Sequence, residues 1–391
     1  MHEVVHILNV GQGDSFLIKP YLQNTVLLID TGPEGSRIDR YIDKENIHLV
    51  LTHHHSDHIG GLKNLIQEKG DHIQKLYLPA QYNELVLITG AILNLRSRGL
   101  SEESEIIFSL FDRIRSDQKV IFKATERLVP LDVCFLHEDA VFEKNYKCLN
   151  PPLYPPVNNW ADEIDHDQFN RILHSLFQTD YADRLSKILF SEYHPAKEND
   201  TNRNDQSDLM IPGSPCENDP YYINRSFILQ FLISNMKDLE AFHNAPSYEN
   251  ALRIYRSYTS VVHDCCIVLK AFSGNKAILF TSDASKKVFH RLLNTGKLKG
   301  ISVLQMPHHG SIRNIDWNTV KKINPKEVFI SHGNRKFGRS SDSHPNLEIL
   351  SMLLENDIRI LLTNDVVKNH VTLLKKDMHR DSKLSYLVIE P

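Results

Sequence analysis

Short apolar runs alternate with polar loops along the first part of the chain. Val4 to Val10, Ser15 to Lys19 and Thr25 to Ile29 predict three strands, and residues 47–51 predict a buried fourth. A helix is predicted from about Gly35 to Asp43, between the third and fourth strands. Strands that alternate with helices favour an α/β layered fold.

The alternation stops near residue 79 and returns near residue 259. Between these positions the pattern is helical, for example over Glu105 to Ile114 and Phe169 to Leu189, and the polar stretch Lys197 to Pro220 is typical of a mobile loop. We therefore predict a core domain made of residues 1–78 and 259–391. Residues 79–258 form an insertion, which is either a lid that shapes substrate access or a partner-binding region.

Strands and helices alternate again in the C-terminal third. The predicted strands are Val261 to Lys270, Ala277 to Thr281, Ile301 to Gln305, Glu327 to Ser331, Arg359 to Thr363, Val371 to Lys375 and Leu384 to Ile389. Helices are predicted near Trp317 to Ile323 and Asn346 to Glu355.

Composition narrows the class of protein. With 391 residues, 41% of them hydrophobic, the chain can bury a sizeable core. No apolar run approaches the roughly 18 residues that a membrane span needs, and the N-terminus has no signal-peptide pattern. We therefore expect a cytoplasmic protein that does not enter a membrane. The five cysteines lack a C-x-x-C spacing, which indicates reduced thiols and no disulfide framework.

The most informative stretch is the loop that follows the strand at residues 47–51. His53, His55, Asp57 and His58 fall within six residues and are followed by the pair Gly60-Gly61. Side chains two apart in an extended loop point the same way, so His53 and His55 can bind one ion while Asp57 and His58 turn towards a second. Imidazole and carboxylate ligands suit Zn, Mn or Fe, with zinc as our first expectation.

This HxHxDH pattern, with a strand before it and a glycine pair after it, resembles the metal-binding loop of the metallo-β-lactamase superfamily. The resemblance implies an α/β fold, the αββα sandwich of that superfamily, with the large and mainly helical insertion added. It also implies a metal-dependent hydrolase with two divalent ions.

The resemblance implies ligands from several later loops. His53, His55 and a later histidine would hold one ion, Asp57, His58 and a final histidine the other, and Asp283 would bridge them. We assign His263, at the start of a predicted strand, to the first ion and His309 to the second, with the adjacent His308 as its competitor. Ser282 replaces the glycine that relatives have before this aspartate.

Further motifs narrow the resemblance to the metallo-β-lactamase domain of the DNA-uptake protein ComEC and its stand-alone relatives. They are Asn9 to Ser15, Leu28 to Gly32, His308 to Ser311 and His344-Pro345. The resemblance covers about residues 3–78 and 260–350. It implies a phosphodiesterase that acts on nucleic acid, although this chain lacks the ComEC membrane channel.

Charge is distributed unevenly around a net value of −4. Residues 160–220 contain 13 acidic against 5 basic side chains, whereas residues 284–345 contain 12 basic against 3 acidic. The second segment follows Asp283, so it either forms a basic surface that attracts polyanions or consists of solvated helix faces.

Several other residues are candidates for a role at the site. Asp57 and His58 act in catalysis through the metal, and Asp30 would accept a hydrogen bond from a ligating imidazole or from the loop backbone. His308 and His332 are candidates to donate a proton to the leaving group. Ser311 either contacts a phosphate or, like Asp14, stabilises a turn. The candidates for a phosphate track are Arg313, Arg335, Lys336 and Arg339.

The leading hypothesis is a two-metal phosphodiesterase, most specifically a nuclease. The alternative within the enzymes is a hydrolase of a small phosphodiester, ester or lactone. From another class, the chain could be a partner-binding module whose metal site is structural or controlled by the partner.

Overall fold

The computed structural model describes residues 3–22, 24–95, 102–127, 131–142, 146–152, 166–190, 225–273, 276–333, 344–364 and four short segments between 366 and 389. The chain divides into two compact units. The first comprises Met1–Pro79, Leu128–Pro152 and His263–Pro391, and the second comprises Ala80–Arg127 and Leu153–Val262.

The first unit contains the strands. In chain order they are β1 (Val4–Leu8), β2 (Phe16–Leu22), β3 (Thr25–Ile29), β4 (Asn46–Val50), β5 (Ile73–Pro79), β6 (Asp132–Leu136), β7 (Val141–Phe142), β8 (Tyr146–Asn150), β9 (Val268–Ser273), β10 (Lys276–Phe280), β11 (Val303–Gln305), β12 (Glu327–Ile330), β13 (Arg359–Leu362), β14 (Val366–Lys368), β15 (Val371–Leu373), β16 (His379–Asp381) and β17 (Leu384–Ile389).

The helices are distributed over both units. In chain order they are α1 (Ser56–Ile59), α2 (Leu62–Lys69), α3 (Tyr82–Asn94), α4 (Glu102–Arg127), α5 (His166–Leu176), α6 (Thr179–Phe190), α7 (Arg225–Ser234), α8 (Met236–Asn244), α9 (Tyr248–Asp264), α10 (Lys286–Asn294), α11 (Trp317–Ile323) and α12 (Leu347–Glu355). Short 3-10 turns lie at Ile38–Tyr41 and Gly70–His72.

The strands form two large mixed sheets and a small hairpin. The first sheet has the order β16-β17-β1-β2-β3-β4-β5-β6, and the second has the order β13-β12-β11-β10-β9-β8-β7. Strands β3 to β6 are parallel in the first sheet, and β10 to β13 are parallel in the second. The hairpin pairs β14 with β15.

One apolar core lies between the two sheets. The ring of Phe16 in the first sheet is 5.4 Å from that of Phe280 and 5.5 Å from that of Phe329, both in the second sheet. Alternate residues of a strand face opposite sides, so Ile278 joins this core while Leu279 joins a second core. The two sheets therefore form a sandwich.

The second core lies between the second sheet and helices α10, α11 and α12. Each of these helices begins with a side chain that accepts a backbone N–H bond, namely Ser285, Asp316 and Asn346. Such caps satisfy amide groups that a helix leaves unpaired at its N-terminus, and they set where each helix begins.

The second unit is a helical bundle with an aromatic core. The rings of Phe108 and Phe242 stack at 5.1 Å, and Phe111 lies 5.4 Å from the ring of Tyr258. The Tyr258 hydroxyl is bonded to Thr89 Oγ1 at 2.7 Å, so the buried polar group is satisfied inside the bundle.

The predicted fold class is confirmed, since two mixed sheets are combined with helices and a helical insertion. The helix predicted for Gly35 to Asp43 is wrong, because the structure has only the 3-10 turn Ile38–Tyr41 there. The single strand predicted for Val261 to Lys270 is also wrong. Its β-branched start belongs to the last turns of α9, and the strand begins only at Val268, which shows packing overriding a weak strand preference.

The structure also differs from the predicted domain boundaries. Residues 128–152 belong to the first unit, because β6 pairs with β5 and β8 pairs with β9. The second unit therefore consists of two chain segments, Ala80–Arg127 and Leu153–Val262. Strand pairing between segments so distant in sequence leaves no local signal in the sequence. The polar stretch Lys197 to Pro220 lies outside the described residues.

None of the helices in the described part of the chain combines the length and apolar character needed to cross a membrane. The four described cysteines, Cys134, Cys148, Cys265 and Cys266, form no disulfide with one another.

Candidate metal centre

The metal-capable side chains lie at the carboxyl ends of parallel strands. Asp30 follows β3 and the loop 53–58 follows β4, whereas Asp283 comes after β10 and His309 after β11. The carboxyl ends of neighbouring parallel strands meet at one edge of a sheet. The loops of both sheets therefore deliver donors to one place.

Glycines allow the histidine loop to pack closely on the segment after β3. A Cβ on Gly60 would lie 2.4 Å from the amide nitrogen of Glu34, and one on Gly61 would lie 2.3 Å from the carbonyl oxygen of Thr31. The amide of Thr31 donates to the carbonyl oxygen of His58 at 2.6 Å. The glycine pair is therefore required by backbone contact.

A first group of donors combines His53, His55, His263 and Asp283, whose candidate ligand atoms all lie within 4.8 Å of one another. Nε2 of His53 is 3.7 Å from Asp283 Oδ2, and Nε2 of His263 is 3.6 Å from the same oxygen. Three imidazoles and one carboxylate are a suitable ligand set for a divalent transition metal.

His263 comes from the last turn of α9 and not from a strand start. Nδ2 of Asn150 donates to the carbonyl oxygen of Asp264 at 3.0 Å and to that of Cys266 at 2.6 Å. Oδ1 of Asn150 in turn accepts from Arg291 at 2.7 Å. These bonds hold the chain that leads from His263 into β9.

A second group combines Asp57, His58 and His309. Nε2 of His309 lies 3.1 Å from Asp57 Oδ2, and its Nδ1 lies 2.9 Å from the carbonyl oxygen of Ser331. A carbonyl oxygen can only accept, so Nδ1 carries the proton and Nε2 is the ligand atom.

Asp283 lies between the two groups. Its Oδ1 is 3.3 Å from Nε2 of His58, which belongs to the second group. Its Oδ2 faces His53 and His263 of the first group. Asp283 would therefore contribute one oxygen to an ion held by each group.

Most of the candidate ligand atoms are buried without a hydrogen-bond partner in the described part of the chain. Buried polar atoms in folded proteins are normally hydrogen-bonded. Among the described residues, the following buried site atoms have no hydrogen-bond partner: Nε2 of His53, His55, His58 and His263, both carboxylate oxygens of Asp283, and Oδ1 of Asp14. A convergence of unpaired donors of this kind indicates a metal site.

The protonation of the first group suits metal binding. Burial lowers the pKa of His53, and the neighbouring His58 and His55 lower it further. Burial also lowers the pKa of His55 to about 4 and the pKa of His263 well below its ordinary value. These three imidazoles are therefore neutral at pH 7 and keep the lone pair that a metal ion requires.

The carboxylates of the site are ionised. Burial raises the pKa of Asp57, but the hydrogen bond from His309 and the charge of His58 outweigh it, so the pKa is below its ordinary value. Burial likewise raises the pKa of Asp283, and the nearby His308 and His58 bring it well below that value.

His58 and His309 behave in the opposite way. Burial lowers their pKa values, but carboxylates outweigh it: Asp283 and Asp30 raise the pKa of His58, and Asp14 and Asp57 raise that of His309. To hold a divalent ion, each of these two rings would have to lose the proton on its ligand nitrogen.

Asp30 supports the histidine loop from behind. Its Oδ2 accepts from Nδ1 of His58 at 2.8 Å and from the Thr52 hydroxyl at 2.6 Å, while Oδ1 accepts from the Thr52 amide at 2.8 Å. Both predicted kinds of contact, to an imidazole and to the backbone, are present. Complete burial raises the pKa of Asp30, and His58 opposes that shift.

Ser282 orients the first ligand of the loop. Its hydroxyl lies 3.2 Å from Nδ1 of His53 and 2.7 Å from the hydroxyl of Thr52. Ser282 therefore contributes a polar contact to a candidate ligand, beyond its place in the turn.

The two adjacent histidines after β11 have different positions. His309 is buried and belongs to the second group, whereas the His308 side chain is 27% exposed and its Nε2 lies 3.6 Å from Asp283 Oδ2. Nδ1 of His308 is 3.0 Å from Asn314 Oδ1. The Asn314 amide nitrogen donates to the carbonyl oxygens of Asp283 and Ala284, so its Oδ1 is the acceptor and His308 Nδ1 is the donor.

The side chains of His332 and Ser311 are both held by backbone groups. His332 is buried, and its ring nitrogens lie 2.9 Å from the carbonyl oxygens of Gly333 and Asn364. Bonds to the backbone leave His332 poorly placed to donate a proton to a leaving group. Ser311 is fully buried and its hydroxyl accepts from the amide of Arg313 at 3.2 Å, which is the turn-stabilising alternative.

The four predicted phosphate contacts are only partly described. Arg313 is exposed and lies in the turn after His309. Arg335, Lys336 and Arg339 lie outside the described residues.

Orienting side chains are the part of the site that the sequence analysis missed. Thr52, Gln305 and Asn314 each hold a candidate ligand or its loop. Gln305 ends a predicted strand and is almost completely buried. A polar residue at the end of an apolar strand was the available signal, but its partners lie far away in the sequence.

Comparison with known proteins gives matches of limited extent. Residues 8–78 match the family model described as the metallo-beta-lactamase superfamily. A hydroxyacylglutathione hydrolase from Prochlorococcus marinus (strain MIT 9301) is 64% identical over 46 residues, which are 11% of this chain and 18% of that protein. The crystal structure of the metallo-beta-lactamase fold protein YhfI from Bacillus subtilis aligns with 95% of this chain and 99% of that chain, at 10% identity and a TM-score of 0.39.

The family match includes β2 to β5 and the loop with His53, His55, Asp57 and His58. It supports the metallo-β-lactamase superfamily, while the ComEC-like type within that superfamily is not distinguished. Residues 8–78 are therefore similar to the metallo-β-lactamase superfamily, and the two mixed sheets with a helical insertion agree with the predicted α/β class.

Proposed function

We propose that this protein is a hydrolase that uses two divalent metal ions. The observation that carries the proposal is Asp283, whose two oxygens face two separate groups of candidate ligands. His53, His55 and His263 would hold one ion, and Asp57, His58 and His309 the other. Ions held in this way lower the pKa of water and neutralise negative charge on substrate oxygens.

The protein's own residues prepare this site for hydrolysis. Asp30 holds the His58 ring through Nδ1, and the Thr52 and Ser282 hydroxyls contact Nδ1 of His53. The Nε2 atoms of His58 and His53 are therefore directed at the candidate metal centre. His308 carries a proton on Nδ1 and its Nε2 lies 3.6 Å from Asp283 Oδ2, beside both groups, so we propose it as the residue that protonates a leaving group.

We further propose a phosphodiester as the substrate, with nucleic acid as the leading candidate. The ComEC-like motifs and the basic balance of residues 284–345 support this. Three of those cations are neutralised locally, because Lys287 pairs with Asp264, and Arg291 and Lys297 both pair with Glu138. Exposed Arg313 is the described cation nearest in sequence to the candidate ligand His309.

A second candidate is hydrolysis of a small molecule. A 46-residue segment is 64% identical to a hydroxyacylglutathione hydrolase, so a hydroxyacylglutathione is included among the substrates to be tested. A third candidate, a partner-binding module with a structural metal site, predicts bound metal without turnover.

The test is hydrolysis by the full chain loaded with Zn²⁺ or Mn²⁺. The substrates are single- and double-stranded DNA, RNA, bis(p-nitrophenyl) phosphate and lactoylglutathione. Asp57→Ala/His58→Ala removes two donors of the second group. A matched control is Asp71→Ala/His72→Ala, which changes the same dipeptide in a 3-10 turn outside the site.

We expect metal-dependent cleavage of a polymer by the natural chain and by the control, and none by the double variant. Turnover of lactoylglutathione alone would replace the phosphodiester proposal with the small-molecule one. Bound metal without turnover of any of these substrates would contradict the enzyme and support the partner-binding module.

A further inference from the structure

Asp14 lies at the candidate metal centre, although it belongs to the turn between β1 and β2. A Cβ on the preceding Gly13 would lie 2.2 Å from the carbonyl oxygen of Asp57, so this turn packs directly on the histidine loop. The amide of Asp14 donates to the same carbonyl oxygen at 3.2 Å. The Asp14 backbone is therefore fixed against the loop that carries the donors.

The Asp14 side chain is oriented by Gln305. Oε1 of Gln305 accepts from the amides of Thr281 and Ser282, so its Nε2 is the donor to Asp14 Oδ2, at 2.7 Å. This bond uses only Oδ2, so Oδ1 of Asp14 takes no part in it. Asp14 is 1% exposed, and Oδ1 has no hydrogen-bond partner among the described residues.

The ionic contact of Asp14 in the described structure is with His309, at 3.5 Å from Oδ1 to Nδ1. That ring nitrogen already donates to the Ser331 carbonyl oxygen at 2.9 Å. A buried carboxylate requires a positive charge or several hydrogen bonds. Asp14 also forms a compact group with His58 and Asp283, whose candidate ligand atoms lie within 4.8 Å of one another.

We propose that Asp14 is an additional ligand of the second metal ion, an inference that rests on the two-ion site proposed above. The donors of that ion would be Asp14, Asp57, His58, His309 and Asp283. The first group has one carboxylate and three imidazoles, whereas the second has three carboxylates and two imidazoles. More oxygen ligands favour an ion such as Mn²⁺, which takes a higher coordination number than Zn²⁺.

The test is calorimetric titration of the metal-free full chain with Mn²⁺ and, separately, with Zn²⁺. Asp14→Asn keeps the shape of the side chain and an oxygen that can accept from Gln305, but it removes the carboxylate. Asp71→Asn makes the same change at an exposed aspartate of the same unit. We expect the natural chain and Asp71→Asn to bind two ions.

Asp14→Asn should bind the first ion with unchanged affinity and the second at least about 10-fold more weakly. The loss should be larger for Mn²⁺ than for Zn²⁺, because Zn²⁺ is satisfied by four ligands. Wild-type affinity for the second ion in Asp14→Asn would overturn the inference.

Binding of the first ion reports that the variant is folded. If Asp14→Asn binds neither ion, Asp14→Ser is titrated in the same way, and loss of both ions there also contradicts a ligand specific to the second ion. A natural chain that binds fewer than two ions would instead contradict the two-ion site itself. The two failures are therefore distinguishable.

Discussion

At the scale of single residues, the candidate centre is built from strained backbone. Asp30, Ser282, His308 and His309 all have positive φ values, between 49° and 57°. A residue other than glycine in this region costs about 1–2 kcal/mol. All four lie at strand ends that supply donors, so the strain is located where side chains must be aimed.

Substitution of Ser282 by glycine separates this strain from the contact it supports. Glycine relieves the positive φ, but the hydroxyl beside His53 is lost, so the free energy of unfolding should change by no more than about 1 kcal/mol. First-ion affinity should fall about 10-fold. Ser282→Ala, which keeps the strain, should lose similar affinity and also stability. Unchanged metal affinity in Ser282→Gly would contradict the orienting role.

Substitution of Asp30 by asparagine tests the support behind His58. An amide group beside Nδ1 can donate to it, which places the ring proton on Nε2 and blocks the ligand atom. We expect a folded protein whose second-ion affinity is reduced about 10- to 100-fold, measured by titration calorimetry. Wild-type affinity would show that Asp30 does not determine the protonation of this ring.

At the scale of elements, the site depends on turns that pack without side chains between them. The β1–β2 turn lies against the histidine loop at Gly13, and the loop lies against the segment after β3 at Gly60 and Gly61. These contacts fix three chain segments relative to one another before any ion binds.

Gly13→Ala should therefore disturb the metal loop. The new methyl group would lie 2.2 Å from the Asp57 carbonyl oxygen, so the loop must move, at a cost of about 1–3 kcal/mol. Gly11→Ala is the control, because no atom lies within 4 Å of its added Cβ and only its φ of 81° is unfavourable. Gly11→Ala should lose only the stability that its positive φ costs, whereas Gly13→Ala should lose metal affinity as well, as measured by denaturant unfolding and metal titration. Equal effects of the two variants would contradict the steric explanation.

At the scale of the whole molecule, ions that bind only the folded chain must stabilise it. A free ion concentration of 100 times Kd contributes about 2.7 kcal/mol per site. Excess EDTA should therefore lower the Tm, and Zn²⁺ or Mn²⁺ should restore it. In Asp57→Ala/His58→Ala the metal-dependent part of the Tm should be smaller. A Tm that changes neither with EDTA nor with added metal would exclude a metal site in the folded state.

Features set by residues close together in the sequence could be predicted, whereas features set by the pairing of distant segments could not. The loop 53–58 contains four candidate ligands within six residues, so their division between two groups could be predicted. His263 was assigned to the site but to the wrong element, because the helix containing it ends in strand-forming residues. Asp14 and Gln305 are 291 positions apart, and nothing local indicates that they meet.

The most direct test of the account is anomalous diffraction from crystals of the full chain loaded with Zn²⁺ or Mn²⁺. We predict two anomalous peaks, one on each side of the Asp283 carboxylate. One peak should contact Nε2 of His53, His55 and His263, and the other should contact Asp57, His58 and His309. A map with no peak at Asp283, or with a single ion bound away from these donors, would contradict the two-metal centre.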